Sequence, residues 1–134
     1  MATRKLIRPD TLAKTAFYHP VCVSEGRRRI DISGQIAFGL HRNILGGDSL
    51  EEQTRYALNN VKLAIEAGGG TLANVVKYVI YVVGYKPEQR DILTKVWFEF
   101  MPDEAERPPC TLIGVETLAV PGLLIEIDAE AILD

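Results

Sequence analysis

The run from Val75 to Val83 (VVKYVIYVV) constrains this chain more than any other stretch. Every residue but Lys77 is β-branched or aromatic. Such side chains suit a packed, pleated surface and lose rotamer freedom in a helix. An apolar run without polar alternation predicts a central strand buried on both faces. Val76, Tyr78, Ile80 and Val82 alternate with Val75, Val79, Tyr81 and Val83, so both faces of the strand are apolar. Helices would cover one face, and oligomerisation is the economical way to bury the other.

Helix signals flank this strand. Ser49-Leu50-Glu51-Glu52 fits a capping box, with Ser49 as N-cap and Glu52 reaching back. Ala57, Leu58, Val61, Ala64 and Ile65 follow at helical spacing, and Gly68-Gly69-Gly70 stops the helix. Pro87 opens a second helix whose buried stripe is Ile92, Leu93, Val96, Trp97 and Phe100, and Pro102 ends it. Residues 17–24 and 30–38 read as strands joined by a Gly26–Arg29 turn, with a loop over 41–47. Residues 110–117 and 123–131 read as a second hairpin around Pro121-Gly122, and a short extra strand is expected near Lys5–Ile7. The order β-β-α-β-α-β-β, without a linker or repeat, predicts one α+β domain over residues 1–134, a mixed sheet with both helices on one face.

At 134 residues, 47% hydrophobic, the chain supports one core. It has no apolar run long enough for a membrane span, and MATRKLIRPDTLAK lacks the apolar segment of a secretory signal, so no membrane partner and a cytoplasmic location are expected. Only Cys22 and Cys110 carry thiols, which the cytosol keeps reduced. The net charge of −3 and the isolation of Arg27-Arg28-Arg29 in a turn argue against nucleic acid as a partner. His19 and His41 are not at metal-ligand spacing with each other or with the cysteines. Gly68-Gly69-Gly70 follows a helix and is no phosphate loop.

Chemistry concentrates in the C-terminal block from Arg107 to Leu133 (RPPCTLIGVETLAVPGLLIEIDAEAIL). Cys110 enters one strand; Glu126 interrupts the aliphatic run of the other and shares its face with Leu124, Asp128 and Glu130. A thiol and an acid on neighbouring strands suggest a reaction centre, with Glu126 activating water or Cys110 acting as nucleophile if its pKa is lowered. The plainer readings are a solvated strand face for Glu126 and a small buried side chain for Cys110. Arg107 is three residues upstream, roughly 10 Å of extended chain, which makes direct contact with Cys110 doubtful. Gly34, in Ser33-Gly34-Gln35, marks a bulge or a close backbone approach.

In order along the chain, ISGQIA at 32–37, EEQTRYALNNVKLAIEAGGGTLANVVKYVIYV at 51–82 and the closing GV, L and IEI elements resemble the RidA/YjgF/UK114 family of enamine/imine deaminases. The similarity runs from about Tyr18 to the C-terminus. It implies a chorismate-mutase-like fold, a homotrimer with small-molecule clefts between subunits, and hydrolysis of substrates such as 2-aminoacrylate without metal or organic cofactor. By the same resemblance Glu126 falls on the glutamate that orients water, Tyr18 on the tyrosine at the pocket mouth, and Ser33 and Gly34 on the pocket-lining pair.

Two positions depart from the pattern. Thr94 stands where many members have asparagine. Cys110 stands where an arginine grips the substrate carboxylate, because Arg-Pro-x-Arg is here Arg107-Pro108-Pro109-Cys110. Losing a bidentate, partly buried contact costs at least about 3 kcal/mol, over a hundredfold in affinity. Three functions follow: a deaminase for another substrate, anchored through Arg107 or another subunit; a hydrolase using Cys110 as nucleophile; or a non-catalytic trimeric small-molecule binder.

Overall fold

The structure, a computed structural model, describes residues 2–134. Six strands and two helices follow one another as β1 (Thr3–Ile7), β2 (Val21–Glu25), β3 (Arg28–Asp31), α1 (Leu50–Ala67), β4 (Val75–Val83), α2 (Arg90–Phe100), β5 (Cys110–Val115) and β6 (Ile125–Leu133). The main sheet has the order β3-β6-β4-β5, and β1 and β2 form a separate antiparallel pair. The short strand expected near Lys5–Ile7 is β1.

Both helix ends of α1 are specified locally. Ser49 accepts from the backbone N–H of Glu52 at 3.1 Å. The return half of the capping box does not form, since the Glu52 carboxylate turns to Arg55, one helical turn on. At the C-terminus Gly69 takes φ +93°. Its N–H bonds to Glu66 O and that of Gly70 to Ile65 O. This is a Schellman closure, which needs a residue free of the left-handed penalty at that one position. In α2 the apolar face is Leu93, Val96 and Trp97. Ile92, expected in the stripe, points outward at 37% exposure. Pro87 opens a single 3-10 turn that runs into α2.

Helices and sheet bury one common face. Tyr78, Ile80 and Val82 of β4 and Ile125, Ile127, Ala129 and Ala131 of β6 pack with Ala57, Leu58, Val61 and Ile65 of α1 and with Leu93, Val96 and Trp97 of α2. Tyr78 meets Trp97 edge-on, their centroids 4.8 Å apart. Each large aliphatic or aromatic side chain enclosed in this way stabilises the fold by about 1.5–3 kcal/mol. The opposite face of β4, with Lys77, Val79, Tyr81 and Val83, is only half-buried within one chain. Burial of β4 on both faces is therefore not achieved by the monomer. The alternation also slips once, because a bulge at Val76 puts Val75 on the buried side with Tyr78.

Strand pairing departs from both expected hairpins. β2 pairs with β1 and β3 with β6, so the turn after Glu25 carries the chain from one sheet to the other. A Cβ on Gly26 would collide with Ile132 and the Leu133 backbone, so only glycine passes at that crossing. β5 and β6 are separated by β4, with β5 parallel to it and β6 antiparallel. The helix α2 between β4 and β5 makes that parallel pairing possible, as a crossover must. Segment 30–38 is regular only to Asp31, and pairing resumes where Gln35 and Ile127 exchange bonds of 2.8 and 2.9 Å. Between Asp31–Glu130 and Gln35–Ile127 the chain uses one more residue than β6, so Ser33-Gly34 sits in a bulge.

Candidate functional site

The four-stranded sheet carries chemistry-bearing residues on both faces, and the candidates divide between them. On the helix side, between α2 and β5, lies an open cavity of about 430 Å³. Its walls are Phe17, Ile80, Leu93, Trp97 and Leu112; Tyr18, Thr94, Cys110 and Thr111 supply polar atoms, and Arg90 the one full charge. Arg90, Leu93, Thr94 and Trp97 share a face of α2 at i, i+3, i+4 and i+7, so helical periodicity alone groups them. Cys110 pairs with Tyr78 across β4 and β5 and joins Tyr78 on the helix side. Burial pushes its thiol up to about 12, far outweighing the pull of the Lys77 charge.

Glu126 occupies the other face. It pairs with Tyr81 in the β4–β6 ladder, and Asp128 follows two residues along on the same face. Gly34 from the bulge lies over these acids: a Cβ there would strike the Glu126 carboxylate and come within 2.7 Å of Asp128 Oδ1. Glycine lets the backbone approach the two carboxylates closely, and a larger residue would push their side chains aside. The Glu126 carboxyl is pushed up, first by burial and then by the negative charge of Asp128. The Tyr81 hydroxyl is pushed up as well, by burial and then by the nearby Asp128 carboxylate. Ser33 is exposed beside Gly34.

Within one chain, then, Tyr18, Thr94 and Cys110 come together, and so do Ser33, Gly34 and Glu126, but the two sets are on opposite faces. The expectation of a thiol–acid pair on neighbouring strands is corrected. β4 stands between the two strands, and the strict alternation of side chains sends Cys110 and Glu126 in opposite directions.

Arg107 does not line the cavity either. It is 5% exposed. Its Nε donates to Met101 O at 2.8 Å, Nη1 to Ala16 O at 2.6 Å and Nη2 to Pro102 O at 3.1 Å. The guanidinium also lies 3.6 Å from the centroid of Phe98. An arginine bound through all three nitrogens to backbone carbonyls is a structural clamp, so the expected carboxylate anchor is not at this position. His19 is equally committed, its Nδ1 lying 2.7 Å from Arg107 O.

Sequence reasoning does not single out Tyr81, Asp128 or Arg90. Asp128 carries a readable signal, two residues after Glu126. Tyr81 is found only once β4 is known to lie beside β6. Arg90 has no local signal: its partner is the ring of Phe17, whose centroid is 4.4 Å from the guanidinium carbon.

The comparisons with known proteins agree with this architecture. The family model for endoribonuclease L-PSP matches residues 10–133. Among solved structures, the Rid-family protein YyfB from Yersinia pestis is 32% identical, with a TM-score of 0.90 over 97% of this chain and 98% of its own. A member of the YjgF/YER057c/UK114 family from Mycobacterium tuberculosis is 26% identical, with a TM-score of 0.65 over 97% of this chain and 99% of its own. Escherichia coli TdcF, solved with bound serine, shares the fold at 22% identity and a TM-score of 0.66, over 78% of this chain and 80% of its own. With the family model spanning nearly the whole chain and a Rid protein aligned end to end at 32% identity, the chain belongs to the endoribonuclease L-PSP family, the YjgF/Rid/UK114 proteins.

Proposed function

We propose that the protein hydrolyses a reactive enamine or imine to a carbonyl compound and ammonia, as a homotrimer holding its substrate in clefts between subunits. The observation that carries this reading is Glu126: a half-buried carboxyl, raised above its usual range, under a glycine roof and beside Tyr81 and Asp128. Water attacks the carbon of the protonated C=N bond, whose π electrons pass to the nitrogen, and Glu126 takes a proton from the water to leave a neutral carbinolamine. Glu126 then gives that proton to the nitrogen, and the C–N bond breaks as the carbonyl forms, with the hydroxyl proton passing to solvent and ammonia leaving. A carboxyl whose pKa lies closer to the working pH performs both transfers better than an ordinary one.

The division of candidates between two sheet faces supports the subunit arrangement. A pocket that uses both the Cys110 cavity and Glu126 needs Glu126 from a second copy, seated against the β5 edge. That edge has apolar surface to offer, with Leu112 and Ile113 39% and 40% exposed. In this reading Cys110 is a pocket wall. A thiol pushed up to about 12 by burial, in a cavity whose lining within one chain contains no histidine, is a poor nucleophile near neutral pH. The substrate is taken to differ from 2-aminoacrylate in how it is held, because Cys110 leaves no arginine at the start of β5 to grip a carboxylate there.

The test measures ammonia release from enzymatically generated 2-aminoacrylate and from larger imines, with the wild type, Glu126→Gln and Cys110→Ser. Glu126→Gln is expected to lose about 10²-fold or more of the rate on whichever substrate is turned over. Cys110→Ser should stay within about threefold of the wild type, as an uncharged wall residue would. Equal rates for Glu126→Gln and wild type overturn the proposed mechanism.

A further inference from the structure

We infer that Arg90, at the start of α2, is the anion anchor of the Cys110 cavity, and that the ligand held there is a small monoanion, a carboxylate on an apolar body. The inference rests on the reading of this cavity as the substrate site. It follows from the charge inventory, the mounting of Arg90 and the shape of the walls.

Among the lining residues Arg90 alone is charged. The Cys110 thiol, which also lines the cavity, is held neutral by burial. Arg90 is exposed at the rim of the cavity, and a cavity with apolar walls and one cation at its mouth favours an anion. Among the described residues, no hydrogen bond or ion pair engages the Arg90 guanidinium; its contact is the face of Phe17. Guanidinium groups combine stacking on a ring with bidentate donation to a carboxylate, which a lysine does not reproduce.

The ring beneath Arg90 is itself fixed. Phe17 stacks on Phe98 at 5.8 Å with an interplanar angle of 22°. Its carbonyl accepts from Trp97 Nε1 at 2.9 Å. The Arg107 guanidinium lies over the Phe98 ring and also holds the carbonyl of Ala16, the residue before Phe17. Arg107, Phe98, Phe17 and Arg90 are thus linked by successive ring contacts, with Arg107 committed to carbonyls and Arg90 at the cavity. Fixing the platform in advance lowers the ordering cost of using the outer arginine. The carboxylate grip has moved from the start of β5 to the start of α2, and the substrate body lies along Ile80, Leu93, Trp97 and Leu112.

The test uses the full chain and two probes of one shape, benzoate and neutral benzamide, titrated by NMR with the arginine Nε–Hε signals in view and quantified by calorimetry. Benzoate is expected to bind at least about tenfold more tightly than benzamide and to shift the Arg90 Nε–Hε signal. Arg90→Gln should weaken benzoate by about tenfold or more and leave benzamide unchanged, with Arg90→Lys in between. Benzoate affinity unchanged in Arg90→Gln, equal affinity for the two probes, or no saturable benzoate binding each overturns the inference. None of these outcomes touches the Glu126 reaction, which is read by ammonia release. Failure of ammonia release with the benzoate preference intact overturns the reaction alone.

Discussion

The two faces of the sheet are made by alternate residues of the same strands, yet they are different chemical environments. The helix-covered face is apolar: Tyr78, Ile80, Val82, Ile125 and Ile127 are buried, and burial holds the thiol beside them far from ionisation. The open face carries Glu126, Asp128 and Glu130 on β6 and Lys77 and Tyr81 on β4, all half-buried in the single chain. Burial raises both Cys110 and Glu126, but the consequences differ. A thiol pushed up becomes inert, whereas a carboxyl pushed up moves toward the pH at which it exchanges protons usefully. One physical cause thus silences the candidate on one face and suits the candidate on the other to its task.

The largest expected effect that would break this contrast concerns Cys110. Near pH 8 a thiol of pKa about 12 has roughly one ten-thousandth of its population as thiolate. Iodoacetamide should therefore label Cys110 at least about a hundredfold more slowly than an unhindered thiol, followed by mass spectrometry of the peptide. Rapid labelling would show that burial on the helix-covered face does not silence the thiol.

Next comes the clamp beneath that face. Arg107→Met leaves the carbonyls of Ala16, Met101 and Pro102 without their donor and removes the inner guanidinium from Phe98. A loss of about 3–5 kcal/mol is expected from such a buried, multiply bonded cation. Denaturant unfolding measures it, and a loss under about 1 kcal/mol would contradict the clamp.

On the open face the expected effect is smaller and depends on pH. The folded-state pKa of Glu126 lies above its unfolded value. The stability it contributes is complete below the unfolded value and is lost as the pH rises through the folded one. Glu126→Gln cannot ionise, so its melting temperature should gain on the wild type as the pH rises from about 4 to about 7. Because Glu126 is only partly buried, the gain should be on the order of 1–2 °C. A gain on acidification instead would reverse the sign assigned to this face. The smallest effect is at Tyr78, whose buried hydroxyl has no hydrogen-bond partner among the described residues. Tyr78→Phe should be neutral or stabilising by up to about 1 kcal/mol.

What could be read from the sequence followed the range of the forces involved. α1 and β4 were legible because their signals are local: Ser49 and Gly69 mark the ends of the helix, and β-branching marks the strand. Strand partners were not, since two apolar strands around a turn look alike whether they pair with each other or admit a third between them. That single non-local fact separates Cys110 from Glu126. The family resemblance pointed to Tyr18, Gly34 and Glu126 as candidates, but the sequence held no sign that Arg107 would be spent on carbonyls. Nor did it show that Arg90 would rest on Phe17, a residue far away along the chain.

The bulge at Ser33-Gly34 has a consequence for how this chain tolerates changes of length. Before it, the residues packed against the core are even-numbered, Ile30 and Ile32; after it, the fully enclosed residue is Ala37, which is odd. The extra residue is a phase shift in the inside–outside alternation. Deleting one residue between Asp31 and Gln35 would send Ala37 toward solvent and its neighbours inward, and would withdraw the glycine that leaves room for Glu126 and Asp128. The reading frame of the fold and the clearance above its carboxylates depend on the same residue, so neither can drift without the other.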